Sequence, residues 1–160
     1  MCLEHRESPI DGWGERKSHK STIPAYAIAA AGNSTLVITT PSTASNLGND
    51  VLVVDPSTGN VESAVFAGSE PSLVALSPDG SQAYTYLSGT GTLARISLAA
   101  HTRDLVFSGD FTGQERPVAV WDMAAGPNGG LAVSYTGGPV AIFDEGKPRS
   151  HADLNADSGQ

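Results

Sequence analysis

The sequence predicts an all-β fold built from short antiparallel strands, and three observations support it. Three proline-led β segments recur at nearly constant spacing: Ile23-Pro24-Ala25-Tyr26-Ala27-Ile28, Glu70-Pro71-Ser72-Leu73-Val74-Ala75 and Arg116-Pro117-Val118-Ala119-Val120-Trp121. Pro24 to Pro71 is 47 residues (71 − 24), and Pro71 to Pro117 is 46 (117 − 71). Gly and Pro together make 28 of the 160 residues (18 + 10) and only 16% are charged, which suits strands joined by tight turns. Strand-like runs are separated by turn chemistry such as Pro78-Asp79-Gly80 and Pro56-Ser57-Thr58-Gly59. A repeat of this length made only of strands points to a partial β-propeller of about three four-stranded antiparallel blades.

The elements follow in order. Residues 1–22 lack period-2 alternation and read as a disordered or extraneous N-terminal tail. In the first repeat, about residues 23–69, Tyr26–Ala30 is the first strand, Gly32-Asn33 a turn and Thr35–Thr40 the second strand. Pro41–Asn49 is a polar loop, Val51–Asp55 the third strand and Val61–Phe66 an outer, edge-like fourth. The turn between these last two has Pro56 to preset φ and Gly59 to supply a positive φ.

The second repeat, about 70–115, has the same order: Ser72–Ser77, the Asp79-Gly80 turn, Gln82–Leu87, the loop Ser88–Gly91, Leu93–Leu98, a turn at His101-Thr102 and Asp104–Phe107. In the third, about 116–144, Val118–Met123, Leu131–Tyr135 and Val140–Asp144 are strands, with a turn at Gly137-Gly138. Residues 145–160 form a polar C-terminal tail without a convincing fourth strand, so the last blade reads as incomplete.

Leu73-Val74-Ala75-Leu76-Ser77-Pro78-Asp79-Gly80-Ser81-Gln82-Ala83-Tyr84-Thr85-Tyr86 closely resembles the repeats of YVTN and lactonase-like β-propellers. Val51–Glu62 resembles the third strand, turn and fourth strand of the same repeat, and the likeness runs over residues 23–144. The resemblance implies blades. It leaves function open, because such repeats occur in lactonases, extracytoplasmic binding proteins and scaffolds alike. Trp121-Asp122 is similar to the WD-repeat dipeptide only superficially: it falls on a first strand, and Trp121 is expected as a core or interblade plug.

Charge and composition exclude several functions. The net charge is −8; residues 1–20 balance four acids with four bases, so the other 140 carry 13 acids against five bases. Such a body repels a phosphate backbone, and no nucleic-acid partner is expected. One cysteine, Cys2, rules out an internal disulfide or a cysteine zinc site. His5, His19, His101 and His151 lack paired ligand spacing, so no metal is expected. Gly89-Thr90-Gly91 and Gly129-Gly130 lie between strands with no helix to receive a phosphate; no cofactor is expected. No apolar run approaches the roughly 20 residues of a membrane span. Met1–Lys20 lacks the apolar core of a secretory leader. It reads as cytoplasmic as written, and as extracytoplasmic if the N-terminus is truncated or wrongly assigned.

The serines sit in turn sequences without Gly-x-Ser-x-Gly, and Asp79 lacks the downstream Thr-Trp pair of an Asp box, so both read as turn residues. One constellation is left. Glu70 and Arg116 precede the blade-opening prolines, where the chain returns from an outer strand to the axis, and Asp110 lies six residues before Arg116 (116 − 110). The resemblance implies that ligand and catalytic groups gather at that mouth. Glu70, Arg116 and Asp110 are therefore the candidate ligand-binding residues, with Glu70 and Arg116 also weak catalytic candidates. The alternative is that they are solvated turn charges, or an interblade ion pair worth under about 1 kcal/mol.

The leading reading is a non-enzymatic binding or scaffold module within a larger propeller or assembly. Its expected partners are a protein or a small ligand, with self-association closing the ring. The rival is a fragment of a lactonase-like hydrolase, with Glu70 as base and Arg116 polarising a lactone carbonyl.

Overall fold

The computed structural model describes residues 22–31, 35–110, 119–138 and 140–149. The Gly32-Asn33 turn, Arg116 and Pro117 lie outside the described residues, as do nearly all of the N-terminal tail and residues 150–160.

Twelve strands are described: β1 Ala27–Ala31, β2 Thr35–Thr39, β3 Asp50–Val54, β4 Val61–Phe66, β5 Pro71–Leu76, β6 Gln82–Leu87, β7 Thr92–Ser97, β8 Thr102–Ser108, β9 Val120–Ala125, β10 Gly130–Tyr135, β11 Val140–Asp144 and β12 Lys147–Pro148. They form three four-stranded sheets, β1–β4, β5–β8 and β9–β12, each in sequential order and antiparallel throughout. The first strands adjoin one another, β1 beside β5 and β5 beside β9, so the sheets converge on their inner strands like blades around an axis.

Period-2 alternation gives every sheet two faces. In the first sheet, Val37, Val51 and Val65 face the second sheet, where they pack with Ala67 against Ala83, Leu87, Ala94 and Ile96. At this first seam, Arg103 Nη1 donates to the Ala67 carbonyl across 2.9 Å. Gly68 follows at φ +129°, and a Cβ there would meet Leu87 Cδ1 at 2.6 Å, so both backbone and space demand glycine.

The second seam is aromatic. Tyr84 and Leu93 of the middle sheet pack against Leu131, Val133, Tyr135, Ala141 and Phe143 of the third. Phe107 and Phe143 stack with ring centroids 5.3 Å apart, tilted by 50°. Tyr135 Oη donates to the Gly109 carbonyl across 2.7 Å, which satisfies the one polar atom this buried ring carries.

Two turns are built around aspartates. Asp55 Oδ1 accepts from the Ser57 N–H and Ser57 Oγ, each at 2.7 Å, and Asp55 Oδ2 accepts from Thr58 Oγ1 at 2.8 Å. Asp79 Oδ1 accepts from Ser77 Oγ at 2.6 Å and from the Ser81 N–H at 3.1 Å. The Ser57 hydroxyl chiefly holds Asp55 below the usual carboxylate range, and the Ser77 hydroxyl does the same for Asp79.

Three features differ from the expectations. Trp121 is no plug: it is 71% exposed. The register shifts opposite Ser134/Tyr135, where Val120 and Asp122 take the pairing positions, so Trp121 is the extra residue of a bulge. The segment after Asp144 supplies a fourth strand, β12, only two residues long. Pro148 and an Arg149–Asp144 ion pair (Nε to Oδ2 2.5 Å) lie along this outer edge. The blade-opening prolines are also unequal, since Pro71 is buried and begins β5 whereas Pro24 is exposed three residues before β1.

Candidate functional site

Sequential antiparallel strands put alternate turns at opposite ends of each sheet. The loops between second and third strands and the connections between sheets share one end, and Glu70 and Asp110 both lie there. Arg116 lies outside the described residues.

Both neighbouring sheets fix Glu70. Its N–H donates to Asn49 Oδ1 at 2.8 Å, from the β2–β3 loop. Its carbonyl accepts from the Ser88 N–H at 2.9 Å and from Ser88 Oγ at 3.0 Å, in the β6–β7 loop. The backbone is held at φ +53°, a conformation that glutamate rarely adopts. Hydrogen bonds from the Ser42 side chain, then its backbone, and from Tyr26 hold the carboxyl below its usual range. The same contact raises the Tyr26 phenol, chiefly through the Glu70 charge. Glu70 Oε2 is buried and has no hydrogen-bond partner among the described residues. The arrangement fixes the Glu70 backbone between the two sheets and favours the ionised form of its carboxyl at the mouth.

Asp110 is exposed in the next connection, where its N–H donates to Ser108 Oγ at 3.1 Å. Its charge adds to the effect of burial on Tyr135, whose phenol is pushed up to about 12. Glu70 and Asp110 thus occupy successive inter-sheet connections, each against a tyrosine from a flanking sheet. Ser42, Tyr26 and Asn49, which complete the Glu70 site, carried no local motif; only the fold brings them to it.

The two terminal sheets each have an outer face. On β1–β4 this face carries Ile28, 64% exposed, and Phe66, 60% exposed; between them Ile38, Leu52 and Val54 are buried under Ile23 and Leu47. On β9–β12 it carries Val140, 55% exposed, around a shallow trough lined by Ala124, Ala132 and Ser134, with Trp121 bulging from β9. At the end of the sheets opposite Glu70, a larger cavity of about 480 Å³ opens between the second and third sheets. Among the described residues no group of three or more His, Cys, Asp or Glu could hold a metal ion, and no helix is long and apolar enough to cross a membrane.

Comparison with solved structures places these sheets among β-propellers. The chain is similar to hydrazine synthase of Kuenenia stuttgartiensis, with a TM-score of 0.63 and 18% identity over 86% of this chain and 38% of that one. It is similar to U3-55K, with a TM-score of 0.61 and 10% identity over 82% of this chain and 40% of that one. The WD40 repeats of RRP9 give the same TM-score and identity, over 82% and 39%. Identities this low carry the fold alone, and the chain spans about two fifths of the length of each. No family model matches the chain, and no curated protein matches it. The fold is therefore all-β, three four-stranded antiparallel blades of a propeller.

Proposed function

We propose that this chain is a non-enzymatic binding or scaffold module whose three blades belong to a larger propeller or assembly. The observation that carries the reading is the pair of outer sheet faces. The middle blade packs on both faces, with Val106 of its outer strand exposed at the rim, whereas Ile28, Phe66 and Val140 stand in solvent on the terminal blades and Trp121 at the β9 bulge. Propellers close with at least about four blades, and an open apolar sheet face favours a neighbour. The WD40-type neighbours support a role in protein interaction. The YVTN and lactonase-like likeness stays at the level of the quoted repeats.

The hydrolase alternative draws less support. Hydrogen bonding lowers the basicity of Glu70, whereas a general base works best with a pKa near the operating pH.

The test has two parts. Gene sequence that continues the 46–47-residue repeat in frame would complete the ring within one polypeptide. Without it, completion falls to a second copy, and light scattering should give about 33 kDa, twice the 16.4 kDa of the chain. A well-folded monomer whose gene holds no further repeat would overturn the proposal.

A further inference from the structure

The cavity at the end opposite Glu70 is framed by two equivalent turns. Ser77–Gln82 joins β5 to β6 and Gly126–Gly129 joins β9 to β10, and Pro78 and Pro127 stand 49 residues apart (127 − 78) in successive repeats. Its wall is completed by Glu145, from the turn after β11. The β9–β10 turn is stiff: Pro127 opens it, Asn128 holds φ +56° and Gly129 holds φ +75°. The positive φ favours glycine at 129, and the Glu145 carboxylate lies directly over it.

The charges at this wall do not balance. Arg95 is mostly buried and forks onto Asp104, with Nε to Oδ1 and Nη2 to Oδ2 both 3.1 Å; its Nη1 reaches Glu145 Oε2 at 2.5 Å. One guanidinium thus serves two carboxylates, and Glu145 is still 59% exposed. Asp79 adds a second negative charge at the rim. The hydroxyl donors there are already engaged: Ser77 Oγ and Ser81 Oγ both donate to Asp79, and Tyr84 Oη donates to Gln82 Oε1. A ligand suited to this site brings positive charge and donors of its own, on an apolar stem that can lie along the two prolines.

We propose that this interblade cavity receives an arginine side chain presented by a protein partner, its guanidinium bonding Glu145 beside Asp79 and its stem lying along Pro78 and Pro127. The proposal rests on the binding-module reading and gives it a partner chemistry. Arginine fits better than lysine because its planar fork offers several donors to converging oxygens.

The test uses the chain as it stands, titrated with acetyl-arginine amide and followed by amide NMR shifts. The expected result is saturable shifts concentrated at residues 77–82, 126–129 and 145. Glu145→Gln, which keeps the shape of the wall, should weaken binding about tenfold, as loss of a charged hydrogen bond implies. Glu62→Gln, an exposed acid on β4, should leave it unchanged. Acetyl-citrulline amide, of nearly the same shape but neutral, should not bind. Shifts spread over the acidic surface, equal weakening by Glu62→Gln, indifference to Glu145→Gln, or equal binding of citrulline would each overturn the proposal. A chain that forms the expected 33 kDa species yet shows no arginine shifts would overturn this inference and leave the module reading standing.

Discussion

The middle blade and the two terminal blades are built from the same repeat but live in different surroundings. In the middle blade, Ala83, Leu87, Ala94 and Ile96 are covered on one side, and Tyr84 and Leu93 on the other. In each terminal blade the inner face is as well buried, while the outer face leaves large apolar side chains in water. The difference teaches that alternation along the strands sets which residues share a face, and cover, from a neighbouring sheet or from segments such as Ile23 and Leu47, decides how much of that face becomes core. Even the two ends differ: the first is partly covered by its own Ile23 and Leu47, and the third has a shallow trough beside an outstanding Trp121.

Substitutions can break this contrast at the seams. Phe143→Ala removes a buried ring that stacks on Phe107 and should cost about 3–5 kcal/mol, read as a lowered urea midpoint. Gly68→Ala forces a Cβ against Leu87 at a left-handed position; the expected loss is about 1–3 kcal/mol by the same measurement. Tyr135→Phe leaves the Gly109 carbonyl without its donor at the second seam, for about 1–2 kcal/mol.

Smaller effects belong to the solvent-exposed parts. Asp55 and Asp79 titrate below their usual range, so the stability they add is present above about pH 4 and is lost as pH falls through their lower folded values. Urea midpoints should therefore be flat near neutrality and drop in acid, with a shallower drop in Asp79→Asn. Trp121→Ala, at the exposed bulge of β9, should change the stability of the isolated chain by no more than about 0.5 kcal/mol. A loss as large as that of Phe143→Ala would erase the distinction between seam and end face.

Much of the fold was legible because its signals are local. Val61–Phe66, Gln82–Leu87 and Val140–Asp144 could be bounded from alternation and flanking turn residues, and the Asp79-Gly80 turn from its own chemistry. What stayed hidden depends on distant residues. The exposure of Trp121 follows from a register shift against Ser134/Tyr135, which no pattern in β9 announces. The two-residue β12 is too short for alternation to reveal. Glu70 could be singled out by its repeat position, but its hydrogen bonds to Ser42 and Tyr26 required the fold. Arg95 and Glu145 lie 50 residues apart and meet only because adjacent blades do.

The most direct measurement of the central claim is the quencher accessibility of Trp121 in a Trp13→Phe protein, which leaves it as the single tryptophan. It should be taken on the isolated, dilute chain and on the completed propeller, whether from the full gene product or from the associated chain. The account predicts red-shifted, readily quenched emission in the first state and blue-shifted, protected emission in the second, as another blade covers the face. Emission that stays fully accessible in the completed assembly would contradict it.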